Sequence, residues 1–396
     1  MEAHVRNQLV FIAFCISSFF MLIFYIVVDQ SLEEERNFAA ASESKRLDGD
    51  MFDYDLAEGK RPKCLPVSHI AFLPMDTTTD ASSTRSFQRL FAQYGMKNNL
   101  SYALPTGNNE WRNGLGHSFN PLSGNVSTVI GLTENSEDFH FDIIFHEMIF
   151  DAVKIYEIMP GDTIFISLLT DPVMKFYDAW VKYEEHWLMK ESFKGLSRLE
   201  AMSVFLNDTD EYLKEPRKLY LEAQMLKGKG IRKANSKMKH GIEPLIHLVN
   251  PQLFVLGFES TEFRQVDNLY QAMIKSTESQ FHLMLLDEYF EDSLAILKHK
   301  LCWTVRDVVY LAAAIRRPQH KRRYEDVGLN DELVDKIRNL NKGDIQLYDT
   351  FQEVFWNSLE TIGRARVNVI KHQIFSNADK IVQRCIKSWE IQDTVF

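Results

Sequence analysis

At 396 residues, with 45% hydrophobic and 25% charged content, the chain has the make-up of an ordinary globular protein rather than a disordered or fibrous one. Its formal net charge of −10 excludes a general nucleic-acid binder, whose phosphate contacts need a basic surface. The 4 cysteines, Cys15, Cys64, Cys302 and Cys385, show no CxxC or Cys/His spacing, so no metal site is expected.

In chain order, the first element is the uncharged run Leu9–Val28 (LVFIAFCISSFFMLIFYIVV). A helix of that length spans the hydrocarbon core of a bilayer, and it has no polar face to turn toward water. The run lacks the small-residue cleavage site of a signal peptide, so it reads as a signal anchor. His4 and Arg6 precede it and Asp29, Glu33, Glu34 and Glu35 follow it. That bias predicts a cytoplasmic tail over 1–8, a single transmembrane span over 9–28 and a luminal body. The polar stretch 29–65 reads as a stem, and the folded body as 66–396. Three sequons, at Asn99, Asn125 and Asn207, would carry glycans in a lumen. In such an oxidising compartment Cys64, Cys302 and Cys385 give one disulfide and one odd thiol, with the pairing left open.

The stretch His69 to Gly95 organises the body. His69-Ile70-Ala71-Phe72-Leu73 reads as the first core strand, and Pro74 to Asp80 as a tight polar turn. Phe87, Leu90 and Phe91 then recur at helical spacing, with Asp80 a plausible N-cap. A strand, a turn and a helix N-terminus together form a cradle for phosphate, because the first helical N–H groups are unpaired and the dipole favours an anion. Ser82, Ser83 and Thr84 add hydroxyls. No Lys lies between Leu73 and Arg85, and Asp76 and Asp80 stand in the turn instead.

Beyond this, Asn98 to Gly107 reads as a short strand ending in a turn, and Trp111 to Ser136 as loop. Phe141-Asp142-Ile143-Ile144-Phe145 and Asp162 to Leu169 read as buried strands. A helix through Phe176, Trp180 and Tyr183 follows Thr170-Asp171-Pro172. Runs apolar on both faces suit a parallel sheet covered by helices, so the class is α/β. Past Leu188 the pattern is mainly helical. It is broken by the basic loop Lys227 to His240, a late strand at Phe281 to Leu286, a helix from Glu291 to Cys302 and a second basic run, Arg316 to Arg323. Phe351, Val354, Phe355 and Trp356 are core candidates near the end.

Several pieces, in this order, resemble one family. They are Ala81-Ser82-Ser83-Thr84 after an apolar strand, Ser101-Tyr102-Ala103-Leu104-Pro105-Thr106-Gly107, and Asp171-Pro172-Val173 with Phe176. Next come Leu256-Gly257-Phe258, Leu285-Leu286-Asp287-Glu288-Tyr289-Phe290-Glu291-Asp292-Ser293-Leu294, and Leu301-Cys302-Trp303 with Asp307-Val308-Val309-Tyr310. Leu347-Tyr348 with Phe355-Trp356 completes the set. Over roughly Pro66 to Trp356 the chain resembles the galactose 3-O-sulfotransferases. The resemblance implies a Golgi type II membrane protein with a P-loop-like parallel sheet flanked by helices. It also implies the donor 3′-phosphoadenosine 5′-phosphosulfate and an acceptor that is a galactose-terminated glycolipid or glycoprotein. On this reading Ser82, Ser83, Thr84, Arg85, Thr170 and Asp178 contact the donor, and Glu147 or His146 takes the acceptor's proton.

The chain departs from the family pattern where charge matters. Two loop lysines fall on Asp76 and Thr79, an Arg on Thr170 and a Ser on Asp178. The family's His-Met-Arg-Phe becomes Glu147-Met148-Ile149-Phe150, with His146 one place earlier. One carboxylate about 5 Å from a phosphate, at an effective dielectric near 20, costs about 3 kcal/mol per charge pair. These replacements motivate an alternative, a non-catalytic relative that binds glycan or partners an active sulfotransferase. A third class, a glycosyltransferase with an Asp-x-Asp metal site, has only Asp53-Tyr54-Asp55 and Asp208-Thr209-Asp210 to offer, one in the stem and one within a sequon.

Overall fold

The computed structural model describes residues 64–75, 82–106, 119–123, 126–132, 140–183, 191–228, 241–242, 245–258, 267–309 and 322–393. The anchor Leu9–Val28, the stem up to residue 63, the turn residues Asp76, Thr79 and Asp80, Asn125 and most of both basic runs lie outside them. Among the described residues no helix is long and apolar enough to cross a membrane.

The body, from Leu65 onward, is a mixed α/β unit built on a four-stranded sheet. Strand β1 (Ile70–Pro74) leads into helix α1 (Ser82–Lys97). A small antiparallel pair follows, β2 (Leu122–Ser123) and β3 (Val126–Ser127). Next come β4 (Ile143–Ile144), α2 (Ala152–Tyr156), β5 (Ile164–Leu169) and α3 (Pro172–Lys182). The helical stretch comprises α4 (Arg198–Asn207), α5 (Thr209–Gly228), α6 (Pro251–Val255) and α7 (Asp267–Gln280). Strand β6 (Leu283–Leu286) and α8 (Phe290–Lys300) precede α9 (Val305–Val308), α10 (Asp331–Leu340), α11 (Lys342–Ile362) and α12 (Arg364–Asp393).

The order across the main sheet is β4-β1-β5-β6, and every pairing is parallel. That requires helices on the sheet, which is why β1 is buried throughout and β5 almost so. The chain leaves β1 toward β4 and leaves β5 toward β6. The outgoing connections therefore diverge between β1 and β5, and past the ends of those two strands lies the position where sheets wound this way form a ligand crevice. Ser167 donates its hydroxyl to the Leu73 carbonyl at 2.6 Å and ties the pair together just below that point.

Two apolar clusters hold the body together. The larger surrounds the sheet. There Phe72 meets Phe91 at 5.0 Å between ring centres and Phe87 meets Phe290 at 5.0 Å, while Tyr94 stacks on Trp303 at 3.9 Å. Each such ring contributes on the order of 2 kcal/mol by burial. The smaller cluster joins α3, α4 and α10 through Phe176, Trp180, Phe205 and Ile337. Gly257 shows why a glycine sits in Leu256-Gly257-Phe258: its φ is +90°, and a Cβ there would lie 2.6 Å from the Phe150 carbonyl.

Some sequence expectations are corrected. The described part of the expected strand, Asn98 to Thr106, forms no strand; its ladder contacts are single bridges, Tyr102 to Ile143 and Pro105 to Val129. Val354 is 46% exposed, because the buried stripe of α11 runs through Leu347, Phe351, Phe355 and Leu359 and leaves it to one side. The disulfide question is narrowed. Cys64 and Cys302 are both disulfide-bonded, and Val67 donates its N–H to Leu301 at 3.0 Å, which lays the neighbouring segments side by side.

Candidate functional site

The crevice has two walls. The first is the head of α1, which follows β1 as the apolar spacing requires. Ser83 and Thr84 are buried in its first turn, Arg85 is exposed, and the described first turn carries no acidic residue. Its N–H groups and dipole thus present positive potential. Ser82 opens the helix, with its side chain outside the described set. One turn beyond Thr84, Gln88 donates to the Phe145 carbonyl at 3.0 Å. This bond ties α1 to the loop that carries His146 and Glu147. His146 stacks on Phe145 at 4.8 Å, and burial pulls its pKa down to about 4, so it is neutral at neutral pH.

The second wall is the β5–α3 turn. Asp171 caps α3: its Oδ1 accepts from Val173 at 2.9 Å and Met174 at 3.0 Å, and Pro172 takes the first helical position, where no N–H is needed. Its Oδ2 accepts from the Tyr324 hydroxyl at 2.7 Å, and its own N–H donates to Glu288 Oε1 at 2.5 Å. Glu288 Oε2 in turn accepts from the Tyr348 hydroxyl at 3.0 Å. Burial, and then the neighbouring Asp287 charge, push the Glu288 carboxyl up to about 7; Asp171 adds a smaller push. The Tyr324 hydroxyl is pushed up to about 12 by burial and by Asp171.

Thr170 is fixed from behind. The Gln252 side chain accepts its N–H at 2.9 Å and donates to its carbonyl at 3.0 Å. Gln252 is held by the fully buried Asp344, whose carboxylate accepts the N–H of Gln252 and of Leu253, both at 2.9 Å. Burial lifts Asp344 up to about 6, against those two donors and the charge of the buried Lys175 on α3.

The structure therefore brings Ser83, Thr84, Thr170 and the His146–Glu147 loop to one end of the sheet. Asp178 requires a correction. It lies further along α3 and pairs with Arg322 at 2.5 Å, so the repulsion expected from it is largely offset by a cation. Asn99 is exposed just past α1, in a left-handed conformation (φ 55°). Asn207 ends α4, also exposed, and its side-chain Oδ1 accepts from Lys336 at 2.6 Å. No cluster of metal-ligating side chains occurs among the described residues.

Sequence reasoning assigned no role to Glu288, Tyr324, Tyr348, Gln252 or Arg322. For Glu288 a signal existed: an acidic pair directly after an apolar strand sits at the strand end, where ligands of parallel sheets bind. The other four meet the site only through contacts more than fifty residues apart, which no local pattern shows.

Comparison with known proteins adds independent evidence. Galactosylceramide sulfotransferase of Homo sapiens is 28% identical over 317 residues, which cover 78% of this chain and 62% of that protein. Galactose-3-O-sulfotransferase 2 of Sus scrofa is 26% identical over 323 residues, 81% of this chain and 70% of that one. Galactose-3-O-sulfotransferase 3 of Bos taurus is 22% identical over 327 residues, with 82% and 65% covered. The chain thus spans a little under two thirds of the human protein's length. The galactose-3-O-sulfotransferase family model matches residues 1–394, and the chain belongs to that family.

Proposed function

We propose that this protein is a sulfotransferase whose β1/β5 crevice binds 3′-phosphoadenosine 5′-phosphosulfate and whose acceptor is the 3-hydroxyl of a terminal galactose on glycolipid or glycoprotein. One observation carries the reading: the motif residues Ser83 and Thr84, and Thr170 with Asp171, flank the point where a parallel sheet reverses its winding. In that P-loop-like arrangement the head of α1 receives a phosphate through backbone N–H groups and the hydroxyls of Ser82, Ser83 and Thr84, with Arg85 at its edge.

The fit to a multiply anionic donor is partial. Among the described residues of the two turns, Arg85 supplies the positive side chain, and Thr170 cannot reproduce an Arg fork. Arg322 neutralises Asp178 rather than adding net positive charge. In the reaction the acceptor oxygen attacks sulfur, the bond from sulfur to the phosphate oxygen breaks, and the acceptor's proton passes to a base. Glu147 or His146 fills that role; the low basicity imposed on His146 by burial favours Glu147. Stabilising the leaving phosphate is then the larger demand, as in phosphoryl transfer.

The same reading puts the protein in the Golgi membrane as a single-pass type II protein, anchored by Leu9–Val28, with the body in the lumen and glycans on Asn99, Asn125 and Asn207. The disulfide-bonded Cys64 and Cys302 support an oxidising compartment. Titration of the purified protein with donor in a calorimeter tests the proposal. Saturable heat in the micromolar range is expected; no heat at millimolar donor ends it. The second reading, a non-catalytic relative, is favoured by Thr170, which stands where the family pattern has an Arg. It predicts no sulfate transfer above that of a Glu147→Gln variant.

A further inference from the structure

Glu288 lies at the end of β6 and joins three elements. Its Oε1 accepts the Asp171 N–H at the head of α3, at 2.5 Å, and its Oε2 accepts the Tyr348 hydroxyl of α11, at 3.0 Å. The groups around it are mostly acidic or neutral. Asp287 comes from its own turn, Asp171 from the head of α3 and Tyr348 from α11, with Asp349 of α11 acting on Asp171, while Tyr324 reaches Asp171 from the short turn Tyr324–Val327. Among the described residues the nearby cations act at one remove: Arg322 is bridged to Asp178 and also interacts with Asp287, and Arg338 interacts with Tyr324 and Asp349.

Both protonation states of Glu288 suit this geometry. Oε1 accepts the Asp171 N–H either way. At Oε2 the Tyr348 hydroxyl donates to the carboxylate, or the acid O–H donates to the Tyr348 oxygen, since a phenol can do either. The change of charge therefore needs no rearrangement of the turn. An anion entering the crevice adds to three carboxylates already close together, and the least costly relief is for one of them to become neutral.

We propose that Glu288 is a positioning residue for the donor crevice: it holds Asp171 in place in both states and takes up a proton as the anionic nucleotide binds. This rests on the donor-binding reading above and deepens it. The carboxyl's position near 7 places the event in the neutral range. Such a residue lets a site with few cations accept a multiply charged ligand.

The test is calorimetry of the full chain with adenosine 3′,5′-bisphosphate at pH 7, in two buffers of different protonation enthalpy. Wild type should take up about half a proton more than Glu288→Gln, because a group titrating near the working pH is half protonated beforehand. The variant keeps an acceptor for Asp171 and also corrects for protons moving on the ligand's own phosphates. Equal uptake with binding intact overturns this inference and leaves the donor reading standing. No binding by wild type overturns both. Should Glu288→Gln fail to fold, Tyr348→Phe decides. The Glu288 carboxyl remains in this variant, so the extra uptake should persist, with its maximum moved upward because the phenol's bond to the charged carboxylate is the stronger of the two it can make; uptake no greater than the ligand's own phosphates supply overturns the proposal.

Discussion

At the strand-start rim of the sheet, His69 sits between two carboxylates, with Nδ1 2.6 Å from Asp162 and Nε2 3.5 Å from Asp142. Asp142 also accepts the backbone N–H and the hydroxyl of Ser101, both at 2.7 Å. At the strand-end rim, Asp171 and Glu288 also accept from backbone N–H groups, but their side-chain partners are phenols rather than an imidazole. The first rim has ordinary solvent-facing pairing, in which the imidazole and Asp162 remain 28% and 75% exposed. The second keeps its carboxylates in a partly buried network and raises one of them to about 7. Acidic residues alone thus do not set the two rims apart; the kind of partner and the degree of burial do.

The contrast can be broken by substitution. The largest effect should come from behind the strand-end rim. Asp344→Ala strands two buried N–H donors and leaves Lys175 without its buried countercharge. A loss of about 3 kcal/mol or more in denaturant unfolding is expected. A loss below about 1 kcal/mol would mean that the Gln252–Thr170 clamp is unimportant. Asp171→Ala removes the cap of α3 and should cost about 2 kcal/mol, together with donor affinity.

Glu288 sharpens the comparison through pH. Its folded pKa, about 7, lies above the ordinary carboxyl value of 4.5, so the folded state holds the extra proton. The associated stability is complete below about 4.5 and disappears as pH rises through about 7. The change is at most roughly 3 kcal/mol and smaller once residual solvation is counted. Melting temperatures of Glu288→Gln from pH 5 to 8 should lack that component; identical pH profiles for variant and wild type would sink the assignment. The smallest effect belongs to the strand-start rim. His69→Ala should cost less than about 1 kcal/mol and leave donor affinity unchanged.

Local order was legible in the chain itself. The apolar run before Pro74, the helical spacing of Phe87, Leu90 and Phe91, and Asp171-Pro172 after an apolar run each appear as β1, α1 and the capped α3. Those signals are short-range consequences of burial period and capping chemistry. The sheet order was not legible, because parallel neighbours such as β1 and β5 are far apart in sequence. For the same reason Asp178 read as bare repulsion until Arg322, 144 residues away, came into contact with it. The strand, turn and helix that carry these motifs could be found from sequence; the distant groups that set their charge could not.

The account stands or falls on the position of the nucleotide. Photolabelling of the full-length protein with an azido derivative of adenosine 3′,5′-bisphosphate, followed by peptide mapping, locates it directly. The account predicts label on the peptides spanning Met75–Arg85 and Thr170–Asp178, suppressed by unlabelled nucleotide. Label concentrated instead around His69, Asp142 and Asp162, or label that excess nucleotide does not displace, would contradict it.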